Sequence, residues 1–288
     1  IVDSMHGTGG RIIEGLLAGG RCRVTTLHGE PDPLFGGQAP EPIPSHLGQL
    51  ARTVARTHAH VGLANDGDAD RIGLIGPGGT WLNPGQVMCV ILAHLVTSRR
   101  MRGAVVKTIS NTMMINRMAD ALGLRLIEVP VGFKHVAKHM LTDDILIGGE
   151  ESGGIGVKGY LPERDGLLND LLVLEAMAVR RQTLAAIMQE LERRYGRWFY
   201  GRRDVRVKME QVDALFAQLY RTPPSRLAGV PVARINTLDG VKLIGRDDSW
   251  LLFRRSGTEP IVRIYAETPI RRNLPSLLSA GVRMVSRG

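Results

Sequence analysis

The strongest chemistry in the sequence is concentrated in one short run, Asp66-Gly67-Asp68-Ala69-Asp70-Arg71. Three carboxylates at alternate positions, separated by Gly67 and Ala69, let a turning backbone aim three oxygens at one point. Hard divalent cations take oxygen ligands, and magnesium in particular accepts a few carboxylates together with phosphate oxygens. Left unneutralised, carboxylates this close repel one another strongly at low effective dielectric. The plain alternative is a solvated acidic turn. A calcium loop of the D-x-D-x-D-G kind is excluded, because Arg71-Ile72 rather than glycine follows the third aspartate and Pro77 stands where a glutamate ligand belongs. The run also follows the apolar stretch Val61–Ala64, and the end of a strand is where an open α/β sheet forms its ligand crevice.

Two further loops carry weaker signals. In Gly148-Gly149-Glu150-Glu151-Ser152-Gly153-Gly154-Ile155-Gly156 a strand runs into a glycine-rich turn bearing two carboxylates and a hydroxyl. Carboxylates accept hydrogen bonds in pairs, which suits adjacent sugar hydroxyls, and glycines allow close backbone approach. On its own the run reads better as a plain surface turn. Arg254-Arg255-Ser256-Gly257-Thr258-Glu259-Pro260, followed by Arg263, can cradle a phosphate through bidentate guanidinium bonds, hydroxyls and backbone amides. It is not a Walker loop, which ends in Gly-Lys-Ser/Thr. Its alternative is a polar loop beside a basic strand.

The elements that must position these loops alternate between short apolar runs and helix-period segments, as in βαβ units on a mostly parallel sheet. Strands are expected at Ile1–Asp3, Arg21–Leu27, Val61–Ala64 and Ile72–Ile75, with helices at Arg11–Leu17 and Pro44–His58. Gly76-Pro77-Gly78-Gly79 marks a turn and a domain boundary. A second unit runs through helix Pro84–Ser98, strand Ala104–Thr108, helix Thr112–Leu122, strand Arg125–Val129, helix Phe133–Leu141 and strand Ile145–Gly148. Helices Gly166–Arg181 and Thr183–Tyr195 close it. Beyond Arg197 the pattern becomes α+β, with strands at Val205–Lys208, Val232–Asn236, Val241–Ile244, Trp250–Arg254 and Val262–Glu267 around helix Val212–Tyr220. The expected domains are therefore 1–79, 80–197 and a smaller C-terminal α+β domain at 198–288. The first two share a length and an alternation, though no repeat is visible residue by residue.

Composition excludes several classes. The 288 residues have ordinary hydrophobicity, with a mean hydropathy of -0.02. No apolar stretch reaches the roughly 18 residues of a membrane span, since Val87 to Val96 is broken by His94. Cys22 and Cys89 are too few for a disulfide framework, and a reducing cytoplasm is the expected location. The net charge is +9 and the pI about 10.1, which raises nucleic acid as a partner. The basic residues are nonetheless scattered and lack aromatic interleaving, so neither nucleic acid nor membrane is expected. The opening Ile1-Val2-Asp3 reads as the inside of a fold, and a chain that starts partway through a larger protein is expected.

The three loops, in this order, resemble the α-D-phosphohexomutase family, where they read D-G-D-[GA]-D-R, G-E-x-S-G and R-x-S-[GN]-T. Asp32-Pro33-Leu34-Phe35-Gly36-Gly37 with Pro40-Glu41-Pro42 is similar to the family's second domain, and Val131-Gly132-Phe133-Lys134 to the substrate-facing loop of its third. The resemblance implies two consecutive α/β domains with mixed or parallel sheets and a C-terminal α+β domain. It implies Mg2+ on Asp66, Asp68 and Asp70, with Arg71 meeting the phosphate beside it. Glu150 and Ser152 resemble the pair that grips sugar hydroxyls, and Arg254, Ser256, Gly257 and Thr258 the clamp on the non-reacting phosphate. Lys134 resembles a third-domain substrate contact. Lys107 is a further candidate, with a solvated lysine as its alternative.

The activity implied is interconversion of hexose 1-phosphate and hexose 6-phosphate, glucose foremost, through a phosphoserine and a hexose 1,6-bisphosphate. Two departures accompany it. Gly154 stands where many relatives place histidine, and Glu-Glu-Ser-Gly-Gly is closer to the bacterial phosphoglucomutase/phosphomannomutase group than to phosphoglucosamine mutases. The family's phosphoserine lies in a first domain, in a motif like T-A-S-H-N-P, and no serine of this sequence stands in one; Ser45-His46 is followed by Leu47. The expectation is therefore a missing N-terminal phosphoserine domain and no turnover by residues 1–288 alone. The alternatives are a non-catalytic sugar-phosphate-binding remnant, or a mutase for mannose or glucosamine phosphates.

Overall fold

A computed structural model describes residues 1–256 and 260–287. In the first domain β1 (Val2–Asp3), α1 (Ile12–Leu16), β2 (Thr26–Leu27), α2 (Gly48–Thr57), β3 (Gly62–Asn65), β4 (Ile72–Gly76) and β5 (Thr80–Leu82) follow one another. Their sheet runs β2-β1-β3-β4-β5, parallel up to β3 and antiparallel beyond it. Gly76–Gly79 is therefore a hairpin turn inside this sheet, which continues to Leu82.

Three expectations here are corrected. The strand expected over Arg21–Leu27 is only Thr26–Leu27, because its partner β1 offers just Val2 and Asp3 for pairing. The helix expected from Pro44 begins at Gly48. Leu47, only 1% exposed in the core beside Leu50, Val54 and Ile75, sits just outside helical geometry, so the chain bends there to bury it. The strand β5 was not foreseen.

The second domain contains α3 (Pro84–Thr97), β6 (Ala104–Thr108), α4 (Met113–Leu122), β7 (Leu126–Val129), α5 (Phe133–Thr142), β8 (Ile145–Gly149), β9 (Ile155–Val157), α6 (Gly166–Arg180) and α7 (Leu184–Tyr195). Its sheet runs β7-β6-β8-β9, with only the last pairing antiparallel. Helix α3 opens on a capping box: Asn83 Oδ1 accepts from Gln86 N–H (3.0 Å), Gln86 Oε1 accepts from Asn83 N–H (3.0 Å), and Pro84 fills the first turn. Every residue from Val87 to Val96 is buried. A helix apolar all round is a core helix, and this one packs on α4, α6 and α7 and touches both β4 and β8. One core thus spans both sheets, from Leu63, Ile72 and Leu74 to Val105, Leu146 and Ile147. No helix among the described residues is long and apolar enough to cross a membrane.

The C-terminal domain comprises β10 (Phe199–Arg206), α8 (Met209–Arg221), β11 (Arg226–Leu227), β12 (Val230–Asn236), β13 (Val241–Gly245), β14 (Trp250–Arg255), β15 (Ile261–Thr268) and α9 (Leu274–Arg287). The sheet β10-β15-β14-β13-β12-β11 is wholly antiparallel. Helices α8 and α9 bury Val212, Leu215, Phe216 and Leu277 against one face. Instead of the expected Val205–Lys208, the edge strand β10 starts at Phe199. Its arginine-rich middle hides the strand period, yet Arg202 lies over the Tyr265 ring at 5.4 Å and hydrogen-bonds Asp204.

The opposite face of this sheet docks on the second domain through buried polar contacts. Glu267 Oε2 accepts from Met113 N–H at the start of α4 (2.8 Å) and from Trp250 Nε1–H (3.0 Å). Lys242 Nζ donates to Ile109 O (2.6 Å) and sits 4.2 Å from the Trp250 ring centre. Burial, reinforced by Lys107, lowers Lys242 to about 7.

Candidate active site

The aspartate run leaves β3 as a turn closed by Ala69 N–H on Asp66 O (3.0 Å), with Ala69 in left-handed geometry at φ +59°. The turn is held from two sides, by Thr8 N–H on Gly67 O (2.9 Å) and by Gly67 N–H on Pro40 O (3.2 Å). Asp66 is buried, Asp70 half-buried and Asp68 exposed, and one oxygen from each lies within 4.8 Å of the others. Arg71 folds back on this group: its N–H donates to Asp66 Oδ1 (3.0 Å), its Nε bonds Asp66 Oδ2, and its Nη1 reaches Glu41 Oε1 (3.2 Å). Burial pushes the Asp70 carboxyl up to about 6; Arg164 pulls it back, while Asp66 and Asp68 push it further. Three convergent hard oxygens, one of them solvent-facing, fit a small divalent cation. A cleft of about 450 Å³ opens beside them between Phe35, Pro40, Glu41, Gly67, Asp68 and Arg71.

The glycine-rich loop meets this turn directly. Arg71 and Gly154 form an antiparallel bridge, Ile72 N–H donates to Gly153 O (3.1 Å), and Gly166 N–H donates to Ala69 O (3.0 Å). Glu150 is 5% exposed; its Oε1 accepts from Gly132 N–H (2.8 Å), and burial, then Glu151, raises its carboxyl. Glu151 turns away to accept from Thr108 Oγ1 (3.1 Å) and Ser110 Oγ. Ser152 is exposed at the loop tip, and Lys134 is exposed on the first turn of α5.

Arg164, just before the Asp165 cap of α6, was not singled out in the sequence. Its Nη2 bonds Asp70 Oδ2, its Nη1 lies 3.9 Å from Glu150 Oε2, and its guanidinium lies 5.5 Å from the Phe133 ring centre. It therefore joins the aspartate loop to the glycine-rich loop. A Cβ on Gly154 would lie 2.2 Å from Arg164 Cδ, so the side chain absent at 154 is what admits this arginine. Glu41 on Arg71 was likewise missed. Lys107 is neither solvated nor at the cleft: it is fully buried, donates to Asn111 O (3.2 Å) and Thr112 O (3.1 Å), and pairs with Glu128 (3.2 Å).

In the C-terminal domain Arg254 ends β14 with its Nε donating to Asp239 Oδ2 (2.7 Å). Ser256 N–H donates to Ile261 O (2.9 Å), closing the loop's base. Gly257 and Thr258 lie outside the described residues.

Two profiles of one family match the chain in succession: Phosphoglucomutase/phosphomannomutase, alpha/beta/alpha domain II over residues 1–79, and domain III over residues 83–195. A Thermococcus kodakarensis phosphoglucomutase/phosphomannomutase is 30% identical over 285 residues, which cover 99% of this chain and 60% of the relative. A Methanothermobacter thermautotrophicus protein assigned as a phosphoglucosamine mutase is 30% identical over 268 residues, covering 93% and 56%. A crystal structure of a Thermus thermophilus protein assigned as a phosphomannomutase superposes with a TM-score of 0.85 at 36% identity, over 99% of this chain and 60% of that one. The chain thus spans about 60% of the length of these relatives.

Proposed function

Because the chain belongs to the phosphoglucomutase/phosphomannomutase family of α-D-phosphohexomutases, we propose that its three loops form the substrate-holding part of a mutase interconverting hexose 1-phosphate and hexose 6-phosphate, with glucose preferred. The observation that carries this reading is Arg164, which contacts a carboxylate of the aspartate loop and one of the glycine-rich loop at once.

Asp66, Asp68 and Asp70 would hold Mg2+, whose bound charge offsets the phosphoryl oxygens in a transfer that depends on positioning and electrostatics. Arg71, held on Asp66 and Glu41 beside these carboxylates, would present its guanidinium to the phosphate next to such a cation. Glu150 accepts from adjacent sugar hydroxyls, with Ser152 and Lys134 reaching from the exposed rim. Arg254, Ser256, Gly257 and Thr258 anchor the idle phosphate. Reading hydroxyls and a distal phosphate suits a substrate that binds in two orientations, as a passage through hexose 1,6-bisphosphate requires. The phosphoserine that donates and recovers the phosphoryl group is supplied by a segment outside residues 1–288, so these residues bind substrate without turning it over. Free Cys22 and Cys89 agree with a cytoplasmic setting.

Calorimetry of residues 1–288 with glucose 1-phosphate and Mg2+, then a coupled assay for glucose 6-phosphate before and after adding a relative's phosphoserine domain, tests the reading. Binding alone at first, and turnover after addition, is expected. Turnover by residues 1–288 alone overturns the division of labour, and binding that never becomes turnover favours a non-catalytic sugar-phosphate binder. Parallel titrations with mannose 1-phosphate and glucosamine 1-phosphate decide the sugar; tighter binding of either one sinks the glucose preference.

A further inference from the structure

The turn between β12 and β13 faces the second domain, and its acidic residue is shared. Asp239 Oδ2 accepts from Arg254 Nε (2.7 Å) and from Val131 N–H (2.8 Å). The next amide, Gly132 N–H, donates to Glu150 Oε1 (2.8 Å). Two successive backbone amides of one loop therefore hold two carboxylates from different domains, one that reads sugar hydroxyls and one that grips the phosphate arginine.

The turn is built to stay in place. Gly240 takes φ +87°, and a Cβ there would lie 2.0 Å from Phe253 O, so this turn packs directly on β14 beside Arg254. Asn236 Nδ2 reaches Glu128 Oε2 (3.3 Å) while Asn236 Oδ1 caps Leu238 N–H (2.9 Å). The Arg254 and Asp239 side chains are 13% and 24% exposed, so their bond is shielded from most competing water. Asp239 takes the Nε–H of Arg254 and the Tyr265 hydroxyl hydrogen-bonds the same side chain; these two partners fix the guanidinium, and a phosphate would meet the N–H groups that remain of its five.

We propose that Asp239 is a positioning residue that sets Arg254 and the Val131-Gly132 loop to one another, so that the phosphate end and the sugar end of a hexose phosphate are engaged together. The proposal rests on the reading of this cleft as a hexose-phosphate site. Asp239 touches no substrate; it acts through Arg254 on one side and through Gly132 and Glu150 on the other.

The test uses the full 288-residue chain with Mg2+ and titrates glucose 1-phosphate by calorimetry into the wild type, Asp239→Ala, Asp239→Asn, Arg254→Ala and the double variant Asp239→Ala/Arg254→Ala. Loss of a charge-assisted bond predicts a weakening of about tenfold for Asp239→Ala, with Asp239→Asn in between because its amide oxygen still accepts from Val131. In the Arg254→Ala background, removing Asp239 changes affinity less than about twofold, since partners in one network are not additive. Hydrogen exchange at the Val131 and Gly132 amides without ligand speeds up in Asp239→Ala, a readout independent of binding. Wild-type affinity in Asp239→Ala beside a loss in Arg254→Ala overturns the proposal, as do fully additive losses. If Asp239→Ala does not fold, Asp239→Asn decides by the same comparison. Should the wild type fail to bind glucose 1-phosphate at all, the parent reading falls and takes this one with it.

Discussion

The backbone of Arg71 pairs with that of Gly154 in a single antiparallel bridge, so the loop carrying three aspartates and the loop carrying Glu150 are tied together although the strands beside them belong to different sheets. Position 154 therefore sets more than sugar contacts. Gly154→Ala drives a methyl into Arg164, and overpacking of this kind costs about 1–3 kcal/mol. Thermal unfolding should show the drop, together with weaker Mg2+ binding. Gly154→His, which restores a donor common elsewhere in the family, is expected to expel Arg164 and bring no gain in glucose 1-phosphate affinity. An unshifted midpoint in both variants contradicts this account.

Metal removal has a distinctive reading at Asp68, the exposed member of the three. Asp68→Asn should leave the unloaded protein as stable as the wild type while weakening Mg2+ by at least about tenfold, as even outer-shell changes do. Asp66→Asn, in contrast, also loosens Arg71 and lowers stability without metal. Calorimetric Mg2+ titration and melting with and without Mg2+ separate the two effects. Equal behaviour of the two variants argues against the asymmetry.

Arg164 gives the third prediction. If, as proposed, Asp70 and Glu150, the partners of Arg164, serve both orientations of the substrate, Arg164→Met should weaken glucose 1-phosphate and glucose 6-phosphate by the same factor, about tenfold or more. Calorimetry with each ester checks it; loss of one ester alone places Arg164 at one end of the sugar.

The pH dependence of stability turns on Asp170, fully buried on α6 just behind the aspartate loop. Burial raises its carboxyl well above the ordinary carboxylate range, with Asn65 pulling it back. A raised acid binds its proton more tightly in the folded chain, so its contribution is complete below the unfolded value near pH 3.8 and declines as pH rises from there. Asp170→Asn mimics the protonated form. Its melting midpoint should match the wild type near pH 4 and exceed it increasingly toward pH 8. A difference that stays constant with pH rules this out.

How much was legible depended on how far apart the partners lie in the chain. Asp66, Asp68 and Asp70 sit within five residues, so their convergence is a property of one turn and is read locally. Helix starts at Thr112 and Thr183 were equally local, each hydroxyl capping an amide two or three residues on. Arg164 was invisible because its role needs Asp70 from another domain and an empty Gly154; its one sequence signal is an arginine directly before the Asp165-Gly166 cap. Glu41 reaches Arg71 across 30 residues. Lys107 looked like a strand-end lysine until Glu128 on the neighbouring strand and two loop carbonyls enclosed it.

Helix α3 has a consequence for anyone dividing this protein into parts. Its buried flank touches strands of both α/β sheets, so a cut near residue 83 strips one half of its lid and gives the other a greasy helix with nothing to cover. Fragments made there are expected to aggregate, and the C-terminal module is no simpler to detach: α8 and α9 close a core of its own on one face, but Trp250, Leu252 and Tyr265 on the other belong to the core shared with the α/β domains.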